Sequence, residues 1–425
     1  MKIKVKKLPY EKVKALPAPA RVSPKRPARF FRFLMKSLGA GDLKATSFEN
    51  SFTGGLEGFP DEPCLILMNH SSFIDLEIAS SIIYPKPFAI VCTSDGFVGK
   101  EGLMRNLGCI PTNKFVTDVR LITDMKYALE KNRTHVLLYP EASYSFDGCA
   151  TPLPRRMGVV LKKLGVPVFM IRTYGAFTRD PLYNMLQKRG VKVRSETSML
   201  FSREDLKERT VDEIDLVLDE KFTFDNFAWQ RENNVRVAEP FRADGLERIL
   251  FRCPCCGEEG FMSGKGTKIT CLACGRSAEL DEFGSLAGDF GFDSVPRWYA
   301  WERAEIAKEV KEGTFSIDCD VSILVLRDFK AVYDIGRGHL TQDATGIRVT
   351  GANGELDFTH PASASYSLYA DYFWYELGDM ICTGNRDFLY YCFPDPAARV
   401  PVAKARLGAE ESFKFAKSSR KSADG

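Results

Sequence analysis

Four short apolar runs stand out between residues 60 and 200: Leu65-Ile-Leu-Met68, Phe88-Ala-Ile-Val-Cys92, His135-Val-Leu-Leu-Tyr139 and Val166-Pro-Val-Phe-Met-Ile171. Runs of this length with little polar alternation predict strands buried on both faces. Between them, 72–83, 117–131 and 155–164 place apolar residues at helical spacing. Strands alternating with helices predict an α/β domain over 46–245, with a mostly parallel central sheet flanked by helices. Residues 203–250 read as mainly helical and polar, with Trp229 as a packing anchor.

The pattern changes towards the C-terminus. Residues 294–312 return to helical spacing, and the chain to about 395 favours strands between turn signals at Gly336-Arg-Gly, Gly351-Ala-Asn-Gly and Thr383-Gly-Asn. Tyr366, Tyr369, Tyr372, Phe373, Trp374 and Tyr375 add aromatics that suit strands. A helical stretch near 401–416 precedes a Ser/Lys tail expected to be disordered. Successive hairpins closed by a helix resemble a small pleckstrin-homology-like barrel over 286–425. That implies a lipid- or protein-binding accessory domain, with a purely structural β-domain as the equal alternative.

Charge divides the chain. Residues 1–44 hold thirteen lysines and arginines against Glu11 and Asp42, a local +11 in a chain of formal net charge +3, so the remainder sums to −8. Five prolines in residues 1–28 predict a flexible or loosely docked arm. Helical spacing over Arg29–Leu38 then puts Arg29, Arg32 and Lys36 on one face and Phe30, Phe31, Leu34 and Leu38 on another. Such a helix suits the interface of an anionic membrane, and docking on a core is the equal alternative. Residues 1–45 therefore form a basic arm with an amphipathic helix. No run of about eighteen apolar residues occurs, so no transmembrane helix is expected. Twelve cysteines without an apolar export segment predict a cytoplasmic setting.

Four of those cysteines have metal spacing. Cys253-Pro-Cys-Cys256-Gly257 and Cys271-Leu-Ala-Cys274-Gly275 are two Cys-x2-Cys knuckles fourteen residues apart. Four thiolates in this pattern suit tetrahedral zinc in a closed, structural site. A zinc ribbon is expected over 246–285, with Cys253, Cys256, Cys271 and Cys274 as ligands and Cys255 spare. Glu258, Glu259, Lys265 and Lys268 mix charges around it, so nucleic acid is not expected as a partner.

The segment Asn69-His70-Ser-Ser-Phe-Ile-Asp75 follows the first apolar run and opens a helix. His70 would stand at a strand's carboxyl end, the crevice position for ligands in an open α/β sheet. Asp75, a turn and a half on, can reach back to the imidazole. A carboxylate on one ring nitrogen fixes the tautomer and leaves the other as a proton acceptor, which is what a general base requires. Taken alone, the spacing more often marks a capped helix start with a packed histidine. A second polar segment, Tyr139-Pro140-Glu141-Ala142-Ser143-Tyr144-Ser145, ends the third apolar run and can converge on the same crevice.

Together these segments resemble the glycerolipid acyltransferase family over roughly residues 60–175. The family's first signature, Asn-His-x4-Asp, is matched by Asn69, His70 and Asp75. Its third, Phe-Pro-Glu-Gly-Thr-Arg-Ser, stands against Tyr139–Ser145. The second block, Gly-x-x-Phe-Ile-Asp-Arg, is looser and falls on Gly108-Cys-Ile-Pro-Thr-Asn-Lys114, and a hydrophobic-Pro block falls on Val166-Pro167-Val168. The resemblance implies transfer of a fatty acyl group from acyl-CoA or an acyl-carrier protein to a hydroxyl of a lysophosphatidate-like lipid or other glycerol-phosphate acceptor. It makes His70 the base and Asp75 its orienting partner. Glu141 would contact the acceptor's glycerol or phosphate end, Lys114 would bind phosphate, and Asn69 and Ser143 would complete the substrate-binding set. Tyr144 and Lys114 replace family arginines, so Arg155, Arg156 or Arg120 are further candidates for phosphate. The implied setting is the inner, cytoplasmic face of a membrane, peripherally bound. A catalytically inactive lipid-binding scaffold on the same fold is the alternative.

Overall fold

The apolar runs become the middle of a seven-stranded sheet. The computed structural model describes residues 2–116, 118–185 and 187–423, the side chains of 420–423 apart. In sheet order the strands are Glu49–Phe52, Arg194–Phe201, Val168–Tyr174, Leu65–Met68, His135–Leu138, Phe88–Thr93 and Cys109–Thr112. Neighbours run parallel except Val168–Tyr174 against Arg194–Phe201. Leu65 and Leu67 join Val136, Val168 and Met170 in one core, while Ile66 and Met68 join Leu137, Phe169 and Ile171 in the other. A strand buried on both faces needs apolar residues at every position, which is why no polar alternation marks it. The edge strand Glu49–Phe52 is partly exposed and polar, so it escapes an apolar-run reading.

Helices Asp75–Ile83, Val119–Glu130 and Met157–Leu164 lie within the predicted stretches. Capping boxes at Ser202/Asp205 and Thr210/Glu213 start two further helices. The helical reading of 203–250 holds as far as Glu232 and fails over 233–245. There Asn234 takes a left-handed φ of 52° and Pro240 lacks an N–H, so the segment is a loop. Arg242 ties it to the metal ribbon by donating from Nε to the Leu280 carbonyl at 2.7 Å.

The basic arm is docked, contrary to the flexible reading. Val5–Lys7 pairs in parallel with Val332–Asp334, and helix Tyr10–Lys14 buries Tyr10 and Val13. The Tyr10 and Tyr390 hydroxyls lie 2.8 Å apart. Pro24 and Pro27 are themselves buried, so prolines that suggested solvated chain serve as packing surface. Next comes helix Arg29–Ala45, which lies against helix Asp75–Ile83 through Gly39. A Cβ there would fall 2.7 Å from the Glu77 Cβ.

The cysteine-rich segment forms a four-stranded antiparallel sheet, with Met262–Lys265, Lys268–Cys271, Ser277–Leu280 and Leu286–Gly288 in succession. Its last strand lies beyond the expected boundary at 285. Helix Val295–Glu312 leads into the C-terminal sheet. Strands Ser316–Leu326, Val332–Asp343, Gly346–Gly351 and Leu356–Pro361 form one antiparallel meander; Tyr369–Asp371, Met380–Gly384 and Leu389–Pro394 form another. The last strand pairs with the first, joining the meanders. Among the described residues no pairing joins Leu356–Pro361 to Tyr369–Asp371, so hydrogen bonding does not close the expected barrel. Helix Val402–Ala423 runs well past 416, which removes the disordered tail over that stretch. One continuous core runs from Tyr10 and Val13 through Phe146, Phe251 and Trp298 to Ile323, Tyr390 and Leu407. Arm, ribbon and C-terminal sheet are thus packed as a single body around one end of the seven-stranded sheet. No described helix is long and apolar enough to cross a membrane.

Candidate active site

Two loops leave the carboxyl ends of the parallel strands Leu65–Met68 and His135–Leu138, and hydrogen bonds stitch them together. The His70 N–H donates to Glu141 Oε2 at 2.7 Å, and the Ser145 N–H donates to the His70 carbonyl at 3.1 Å. Glu141 Oε1 accepts from the Thr151 N–H at 2.9 Å and its hydroxyl at 3.2 Å. Asn69 fastens the first loop to the neighbouring strand, accepting from the Thr173 N–H at 2.8 Å and donating to the Thr173 and Ser71 hydroxyls. Ala142 allows the second loop its turn by taking φ 54°, a region that costs an L-residue about 1–2 kcal/mol.

Asp75 opens its helix with the side chain turned back. Its Oδ2 accepts from the Ser71 N–H at 2.7 Å and the Ser72 N–H at 3.0 Å, and lies 3.1 Å from His70 Nδ1. With Asp75 ionised, that contact places the proton on Nδ1 and leaves Nε2 as the acceptor nitrogen. Burial holds the imidazole well below its ordinary value, reinforced by Lys114, so the ring is neutral at pH 7. Burial pushes Asp75 up to about 8 and Glu141 up to about 7, against the backbone N–H groups that pull both down.

The ring itself is sandwiched. Tyr139 stacks on His70 at 4.2 Å between centroids, Tyr144 lies on the ring at 3.9 Å, and Phe73 stacks on Tyr144 at 5.1 Å. In sequence Tyr144 registers as a lost arginine; in the fold it clamps the imidazole.

His70, Tyr139 and Tyr144 line a cavity of about 820 Å³. Its walls take in Lys114 and Arg155 together with Tyr366, Asp371 and Trp374 of the C-terminal domain and Phe413 of the last helix. Asn69, Glu141 and Ser143 were expected to touch substrate, yet none of them lines this cavity. Their polar atoms hold the loops instead, and Ser143 accepts from the Arg406 guanidinium at 3.3 Å. Arg156 is exposed and also outside the lining, as is Arg120. Arg406, which further donates to the Tyr144 carbonyl at 3.3 Å, was missed because it is 262 residues from its partner and in no motif. The aromatic run at 366–375 was legible as strand-forming; nothing local marked it as a cavity wall.

Away from the cavity, the sulfurs of Cys253, Cys256, Cys271 and Cys274 all lie within 4.8 Å of one another and could hold one metal ion. Cys255 points elsewhere, to the Asp289 carbonyl. Four thiolates at this separation fit a tetrahedral, fully protein-ligated ion.

An acyltransferase family model matches residues 51–172, the stretch that holds both loops. A chloroplastic 1-acyl-sn-glycerol-3-phosphate acyltransferase of Brassica napus is 27% identical over 161 residues, which is 35% of this chain and 43% of that protein. The chain thus spans less than half the length of that relative. The crystal structure of PlsC, a 1-acyl-sn-glycerophosphate (LPA) acyltransferase from Thermotoga maritima, aligns with 45% of this chain and 78% of its own at 16% identity, with a TM-score of 0.32. Over residues 51–172, which hold both loops, the chain is thus similar to the acyltransferase family.

Proposed function

We propose that the protein moves a fatty acyl group from a thioester, acyl-CoA or acyl-carrier protein, onto a hydroxyl of a glycerol-phosphate-type lysolipid at a membrane surface. The observation that carries this reading is a neutral imidazole, oriented by a buried carboxylate, in the wall of a largely apolar cavity. His70 Nε2 takes the hydroxyl proton as the oxygen attacks the thioester carbonyl; the C–O bond forms, the C–S bond breaks, and the proton passes to the leaving thiolate. Base catalysis of this kind contributes on the order of 10²–10⁴-fold. Asp75 keeps Nδ1 protonated, and Glu141 holds the backbone beneath the ring. Lys114 and Arg155 are the cations available to the acceptor's phosphate.

Membrane contact is supported by helix Arg29–Ala45, whose apolar side faces outward. Phe30, Phe33 and Leu38 are 66%, 57% and 76% exposed, while Gly39 and Leu43 face the protein. Phe73 and Leu76, also exposed, stand at the cavity itself. The metal quartet is read as a structural zinc site.

A test is thiol release from acyl-CoA on vesicles with and without a lysolipid that has a free glycerol hydroxyl. The reading expects release that depends on that hydroxyl. Vesicle binding without acceptor-dependent release would instead favour the inactive lipid-binding scaffold.

A further inference from the structure

Three charged groups from three parts of the chain face the cavity together with His70. Asp95 lies in the short turn after strand Phe88–Thr93, Lys114 in the loop after Cys109–Thr112, and Asp371 ends a strand of the C-terminal sheet. The Tyr369 hydroxyl bridges the carboxylates, 3.5 Å from Asp95 Oδ2 and 3.2 Å from Asp371 Oδ2, with one proton to serve both. Trp374 Nε1 donates to Asp95 Oδ2 at 2.9 Å, and the Tyr372 N–H donates to Asp371 Oδ1 at 2.9 Å. Asp95 Oδ1 has no hydrogen-bond partner, although the residue is 1% exposed. A buried carboxylate oxygen in that position calls for a donor.

The countercharge is incomplete. Lys114 Nζ lies 4.1 Å from the centroid of the Tyr369 ring, and burial lowers its pKa while Asp371 and Asp95 pull it back up. One lysine therefore stands beside these two carboxylates, with Arg155 and Lys417 also in the lining of the cavity. A phosphomonoester dianion would have to sit against this excess negative charge, with Tyr144 in place of the family's arginine. A phosphodiester carries one negative charge, which a single lysine can match. An ammonium group attached to it would supply the donor that Asp95 Oδ1 lacks and a cation beside Asp371, in a cavity also lined by Tyr366 and Tyr375.

Taking the acyl-transfer reading as given, we propose that Asp95 and Asp371 bind an ammonium group on the acceptor, so that the preferred acceptor is a zwitterionic lysophospholipid and not one ending in a bare phosphate. The C-terminal sheet then acts as a specificity wall, since Asp371 and the donors to Asp95 all come from it.

The test offers full-length protein acyl-CoA with three 1-acyl lysolipids in the same neutral vesicles. One carries an ethanolamine phosphodiester, one a glycerol phosphodiester and one a phosphomonoester. The expected result is a preference of about tenfold or more in kcat/KM for the ethanolamine head group, the size of one buried charged hydrogen bond. Asp371→Asn is expected to reduce the ethanolamine-to-glycerol ratio by about tenfold. Equal use of the three acceptors, a preference for the phosphomonoester, or an equal loss on both diesters in Asp371→Asn would overturn the proposal. Should that variant fail to fold, Asp95→Asn and the wild-type ranking decide it by the same criteria. Acyl transfer without head-group preference sinks this proposal alone, whereas transfer to none of the three sinks the acyl-transfer reading as well.

Discussion

The loops behind His70 and the C-terminal wall opposite them differ in how their polar atoms are satisfied. In the loops, Asn69 and Glu141 are bound on both side-chain polar atoms, and Asp75 binds two backbone N–H groups and the imidazole through one oxygen. Such a network fixes a geometry and leaves little free to read a ligand. Both sides keep a buried carboxylate oxygen without a donor, Asp75 Oδ1 in the loops and Asp95 Oδ1 in the turn that the wall contacts, but Asp95 also has a second acid and a lysine beside it. On the proposed reading the contrast separates two tasks: the loops position the reacting proton, and the later domain reads what is brought to it.

Four changes would break or sharpen that contrast, and the largest is loss of the metal. The Cys quartet sits beside Arg252, which pairs with Glu259 and with Glu309 of helix Val295–Glu312, while Lys404 of the last helix also reaches Glu259. A structural zinc site is worth on the order of 10 kcal/mol in isolated fingers. Strong chelation, or Cys256→Ser, should therefore release about one zinc per chain. Thermal stability should fall with it, together with the wall's selectivity. Chelation that leaves melting and metal content unchanged would remove the structural zinc from the account.

Arg406→Ala comes next, because it cuts wall from loop. Its guanidinium joins Glu410, Ser143 and the Tyr144 carbonyl and lies 4.4 Å from the Phe146 ring. Removing one partner of a buried ion pair costs about 3 kcal/mol, here softened by the Arg303 that also holds Glu410. Denaturant titration should show that loss, with acyl transfer reduced more than global unfolding explains; a loss below about 1 kcal/mol would place Arg406 among ordinary surface charges.

The loops also carry a pH response, shared with buried acids elsewhere such as Glu77 and Asp371. Asp75 and Glu141 have raised pKa values, so between the ordinary carboxylate range and about pH 8 the folded chain binds more protons than the unfolded one, and their contribution to stability falls as pH rises. His70 and His135 are lowered, the latter to about 4, and act with the opposite sign below 6.5. Above 6.5 only the carboxyl effect remains of these four. The melting temperature should drop from pH 6.5 to 8 in scanning calorimetry, and Asp75→Asn should flatten that drop while lowering activity. A melting temperature that rises across this interval would contradict the burial argument.

The smallest effect is Ala142→Gly, which relieves a left-handed φ where the family signature has glycine. It should raise stability by about 1 kcal/mol without changing acceptor choice. No gain would mean the loop has no strain to relieve.

These contrasts track what the chain displays locally. Leu65–Met68 and His135–Leu138 were legible because a strand buried on both faces has no room for polar residues. His70 and Asp75 were legible because helix pitch fixes how far a side chain five residues on can reach back. The docking of the arm was hidden: Tyr10 and Val13 are two apolar residues among lysines, and the hydroxyl that Tyr10 meets belongs to the distant Tyr390. Tyr144 misled for a related reason. A motif position scored against arginine says nothing about stacking on a histidine 74 residues away, and Arg406 reaches the second loop, and Asp371 the cavity, only through packing of remote strands and helices.

The most direct test of the account is lipid mass spectrometry of the products formed by wild type and His70→Ala from one acyl thioester and one accepted lysolipid, with both proteins checked for equal folding. The account predicts a diacyl lipid from the wild type and a yield lower by about 10²–10⁴-fold from the variant. Equal amounts of the same product from both would contradict it.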